Sequence, residues 1–97
     1  MEVISVNYML LKDQLRFLAL RCMDIEQNMK DVAEATENMD IFWNGDANAT
    51  FVMGINEDIA SIEALILKIR GAVKLLNEAL KEYQETEKVI EQIIGGL

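Results

Sequence analysis

The chain has 97 residues, enough for one small domain, and 17 acidic against 9 basic residues give it a net charge of −8. That sign is wrong for tracking a phosphate backbone, which argues against nucleic acid as a partner. There is no histidine, so the usual general base, metal ligand and near-neutral proton switch are missing, and the single cysteine, Cys22, cannot form an intramolecular disulfide or a thiolate zinc site. Proline is also absent, which favours long uninterrupted helices.

The first residues carry Glu2 where the basic region of a secretory signal peptide would need Lys or Arg. No charge-free apolar run approaches the roughly 18 residues of a membrane span, so no stable membrane insertion is expected. The expectation is a soluble protein made in the cytoplasm.

From the N-terminus, mostly apolar residues recur at Ile4, Tyr8, Leu11, Leu15, Leu18, Cys22, Ile25, Met29, Val32, Thr36, Met39 and Trp43. The steps alternate four and three, the period of a helix that pairs along its length. This run predicts a helix over about 4–42. Asn44, Gly45 and Asp46 then interrupt it. Gly45 can take the left-handed conformation that closes a helix, and Asp46 can cap the next one. The pattern restarts at Val52, Ile55, Ile59, Ile62, Ile66, Ile69, Val73, Leu76, Leu80, Tyr83, Glu87, Ile90, Ile94 and Leu97, predicting a second helix over about 47–94. A turn as short as 43–46 forces the two helices back against each other. The expected fold is all-α, a single antiparallel helix-turn-helix hairpin over residues 1–97.

The apolar residues exceed what the two seams hold. Leu10, Phe17 and Leu20 on the first helix, with Leu65, Ala72, Leu75 and Ala79 on the second, form a candidate dimer interface. Two hairpins joined there would make a four-helix bundle, from two copies or from this chain and a similar one. Acidic residues cluster from Asp24 to Asp46 and again at Glu57, Asp58 and Glu63, so the turn end of the hairpin is strongly acidic. Such a run keeps a solvated face soluble and can also steer a partner.

Little in the chain points to chemistry. Cys22 sits inside the seam, where an apolar environment raises a thiol pKa and keeps it inert. Carboxylates abound, but a two-helix rod offers no enclosed pocket to tune them. Asp46, Asn48, Thr50 and Glu57 have the spacing of a calcium loop, yet Phe51 stands where its sharp turn needs glycine. No catalytic residue, cofactor site or metal site is assigned, and the chain is not expected to be an enzyme.

Trp43-Asn44-Gly45 lies near the centre of a chain of about 100 residues, between two amphipathic helices. In this the sequence resembles the WXG100 (ESAT-6-like) family of small helical hairpins. The run Gly45-Asp46-Ala47 with Phe51 matches that family's small residue followed by an aromatic. Tyr83-Gln84-Glu85-Thr86-Glu87 is similar to its C-terminal export signal, Tyr-x-x-x-Asp/Glu. The resemblance implies a substrate of a type VII secretion system of Gram-positive bacteria or mycobacteria, made in the bacterial cytoplasm and secreted without a cleaved signal. It implies a homodimer or a heterodimer with a WXG100-like chain, and recognition by the type VII export ATPase. It also implies that Trp43, left partly exposed, joins a partner's tail signal in one recognition surface. Two alternatives stand beside it: a cytosolic adaptor for the helical N-terminal segment of a larger toxin, and a structural bundle unrelated to secretion.

Tyr83 and Glu87 are four residues apart and so share one helix face. Glu87 is also the only charge in either seam. Either its face is open to water past the end of the first helix, or its carboxylate has a partner.

Overall fold

The computed structural model describes residues 7–97. The two heptad runs form two helices, α1 (Tyr8–Phe42) and α2 (Asp46–Gly95), and no strand occurs among the described residues. Ile4, and with it the expected start of the first helix, lies outside them. Asn7 begins α1 as an N-cap, its side-chain oxygen accepting from the Leu10 N–H at 3.1 Å. Gly95 is the last residue of α2, and Gly96 caps it, its N–H donating to the Gln92 and Ile94 carbonyls.

The turn differs in detail from the sequence expectation. Trp43, in an extended conformation, closes α1, its N–H donating to the Met39 carbonyl at 3.0 Å. Gly45 takes φ +123° and ψ −178°, outside the left-handed helical region, because it starts α2 rather than ending α1. That backbone region is essentially reserved for glycine. Asp46 therefore falls inside the first turn of α2 and caps nothing. Its charge still complements the positive end of the helix dipole there.

The hairpin is a rod of 79 × 18 × 17 Å. Its core is a line. Leu15, Cys22, Met29 and Thr36 are the buried residues of α1, each seven after the last. On α2, buried Ile66 and Leu80 alternate with half-buried Ile59 and Val73 on one row of the same spacing. Cys22, at 1% exposure, Met29 and Ile66 form the central cluster, with Ile59 and Ile69 packed against it. Thr36 tolerates burial because its hydroxyl donates to the Val32 carbonyl at 2.8 Å.

The second apolar place in each heptad of α1 is not closed. Leu11, Leu18, Ile25, Val32 and Met39 remain 37% to 45% exposed. The half-buried positions on the other flank of the line are Ala19, Glu26 and Ala33. Alanines fill little of the space between the helices, and Glu26 accepts a hydrogen bond from Arg70 across the hairpin. The heptad register was thus legible, but one helix facing one other can enclose only one of its two apolar rows.

Ile66 lies in the closed line and Leu75 outside it, so truncation separates the two. Ile66→Ala should lower stability by about 2–5 kcal/mol, as for other buried isoleucines. Leu75→Ala should stay within roughly 0.5 kcal/mol. Urea denaturation followed by far-UV circular dichroism measures both.

Candidate interaction surfaces

Three surfaces follow from this geometry: the turn, the open end and the unclosed apolar rows. At the turn, the Trp43 ring lies 5.8 Å from that of Phe51, tilted by 46°, so the indole covers the start of α2. Ile41 and Phe42 in the last turn of α1 point outward, Phe42 at 88% exposure. Asn48, buried to 5% exposure, donates a side-chain hydrogen bond to the Asp40 carboxylate and ties the two helices together just behind the turn. The acidic residues expected at this end surround it. Aromatic cover and strong negative charge therefore occupy the same tip.

At the open end, the Tyr83 ring lies 5.5 Å from that of Tyr8, tilted by 50°. Glu87, one turn further along α2, is half-buried. The Tyr8 oxygen is shielded from solvent without a well-formed hydrogen bond. That desolvation, followed by the Glu87 carboxylate as a loose acceptor and as a charge, pushes the Tyr8 phenol from 10.0 up to about 12. The face bearing the Tyr-x-x-x-Glu pair is thus not fully open to water. It rests on a tyrosine of α1.

The interface residues read from sequence do not share one face. Each residue turns a helix by about 100°, so Phe17 lies some 200° round from buried Leu15, and Leu20 equally far from Cys22. Leu10, Phe17 and Leu20 therefore sit on the back of α1, exposed, with the Arg21 guanidinium 4.6 Å from the Phe17 ring centroid. Leu65, Ala72 and Ala79 each precede a row residue of α2 by one and flank its unclosed side, while Leu75 lies on the back.

What sequence reading missed is the surface between the helices. Ile25 and Val32 of α1 and Ile55 and Ile62 of α2 edge an apolar groove of about 330 Å³ floored by Met29 and Ile59. The opposite side of the rod carries a groove of about 350 Å³ edged by Glu26, Lys30, Glu63 and Arg70. The signal for the first was present, since its residues all belong to the two heptad runs. Assigning every run residue to the core hid it.

Among the described residues, no group of three or more His, Cys, Asp or Glu side chains is placed to hold a metal ion, and no helix is long and apolar enough to cross a membrane. Compared with known proteins, the chain matches no family model, no curated protein and no solved structure.

Two predictions test the ends. A side chain at Gly45 meets open space but must adopt φ +123°, so Gly45→Ala should cost about 1–3 kcal/mol in a thermal melt without any steric clash. A folded-state pKa above the unfolded one means that the neutral Tyr8 phenol stabilises the fold. This contribution is intact below pH 10 and is lost as pH rises through about 12. Absorbance titration at alkaline pH should find a tyrosine ionising near 12, and Glu87→Gln should lower that value.

Proposed function

We propose that this chain is a small exported substrate of a type VII secretion system, acting by protein–protein association as a dimer. Its Tyr83 and Glu87 serve as the signal read by the export ATPase. The observation that carries this reading is the placement of its two motifs at opposite ends of one hairpin. Trp43-Asn44-Gly45 forms the turn, and Tyr83 with Glu87 marks the open end.

The geometry beyond the signal supports the same reading. α2 continues from Tyr83 to Gly95, a further stretch of roughly 18 Å at 1.5 Å per residue. Val89, Ile90, Ile93 and Ile94 are exposed along it. A receptor can therefore grip apolar side chains on a rigid helical arm while reading the tyrosine and carboxylate at its base. Packing on Tyr8 holds the Tyr83 ring in place, and this lowers the entropy lost on recognition. No reaction is assigned to the chain. The groove edged by Glu26, Lys30, Glu63 and Arg70 is open along the rod, and Glu26 and Arg70 are paired with each other across it.

Export from the native host tests the proposal. Wild type should accumulate in the medium, while Tyr83→Ala and Glu87→Gln should remain in the cell lysate at matched expression. Circular dichroism should show the same helix content for all three, which separates a lost signal from a lost fold. Retention of all three chains would overturn export and favour a cytosolic adaptor.

A further inference from the structure

We infer that Tyr8 of α1 is a third member of the export signal, a positioning residue whose ring holds the face on which Tyr83 and Glu87 are read. Its role deepens the export reading above and rests on it for the existence of a receptor. The signal is then more than five consecutive residues of α2. It is a surface assembled from both ends of the chain, present only when the hairpin is folded.

Local structure fixes Tyr8 although it stands at the end of a helix. Asn7 caps α1, its side-chain oxygen accepting from the Leu10 N–H at 3.1 Å and its carbonyl from the Leu11 N–H at 3.0 Å. Tyr8 is the first helical residue after that cap. It lies seven residues before buried Leu15, so it continues the inward row of α1 toward the open end and is half-buried there. On α2 the inward row runs through Ile59, Ile66, Val73 and Leu80, and its next place, seven further on, is Glu87. Antiparallel pairing sets the two row ends against each other. The tyrosine that begins one row therefore meets the carboxylate that ends the other.

The pair of the signal is arranged about this residue. The Tyr83 ring lies 5.5 Å from the Tyr8 ring at a tilt of 50°, inside the roughly 4.5–7 Å range that aromatic pairs favour. Tyr83 remains 36% exposed, so part of its ring is held and part is left for a receptor. The Tyr8 oxygen is shielded without a well-formed hydrogen bond, so the ring rather than the hydroxyl does the holding. Elsewhere along the line the rows are mainly aliphatic, and a leucine at position 8 would fill the same end of the contact. What only an aromatic side chain adds is a flat surface that sets the plane of the Tyr83 ring. A side chain ordered in advance loses less freedom on recognition, and the cost of ordering one corresponds to roughly 2- to 12-fold in affinity. Tyr8 therefore tunes a signal that Tyr83 and Glu87 constitute.

Export from the native host and the Tyr83 ring signals in NMR spectra of the purified full chain test this role together. Tyr8→Phe keeps the ring and should be exported as wild type is. Tyr8→Leu keeps apolar bulk but no ring, and should reach the medium at a level roughly 2- to 12-fold lower. Its Tyr83 ring-proton shifts should move toward those of an exposed tyrosine, while those of Tyr8→Phe stay near wild type. Circular dichroism should show the same helix content in both. Met9→Ala, at a neighbour that is 79% exposed, should alter neither readout. Export of Tyr8→Leu at the wild-type level, with Tyr83→Ala retained, would overturn the role of Tyr8 and leave the signal itself standing. Unmoved Tyr83 ring shifts in Tyr8→Leu would overturn it without reference to export. Retention of Tyr8→Phe alongside Tyr8→Leu would overturn positioning by the ring. Retention of wild type would instead remove the export reading, and the role of Tyr8 with it.

Discussion

Two helices with no third element beside them can share only one line of contact, and the rest of this structure follows from that limit. The line runs through Leu15, Cys22 and Met29 on α1 and through Ile59, Ile66, Val73 and Leu80 on α2. It is apolar in the middle and polar at both ends. Near the turn it ends in the Asn48–Asp40 hydrogen bond, and at the open end in Tyr8 beside Glu87. The Asn48–Asp40 hydrogen bond favours one register of a contact that would otherwise tolerate sliding, because aliphatic rows of equal spacing fit one another at every heptad. Among the described residues, five buried apolar side chains make up the core between helices of 35 and 50 residues.

The sequence disclosed the hairpin because its two signals are local and strong. A heptad rhythm persists through each helix, and Asn44-Gly45 interrupts both. The handedness of Gly45 and the role of Asp46 were not legible, since either residue could begin α2 and only the backbone decides between them. Nor was the rotation of each helix about its axis. Periodicity shows that two rows are apolar but not which of them faces inward. That choice depends on Ala19 and Ala33 being small and on Glu26 reaching Arg70, which are contacts between distant parts of the chain. The same rotation sends Leu10, Phe17 and Leu20 to the back of α1 and leaves Ile25 and Val32 half-exposed beside the groove.

The two ends of the rod differ in chemistry. The turn end is acidic and displays Phe42 and the Trp43–Phe51 pair. The open end presents a longer apolar arm, anchored where Tyr83 rests on Tyr8. Both ends hold the hairpin by other means than the contact line, through Gly45 and the Asn48–Asp40 hydrogen bond at the turn and through Tyr8 packed on Tyr83 at the open end. The line itself has the opposite character, being buried, uncharged at its centre and without an exposed group to recognise.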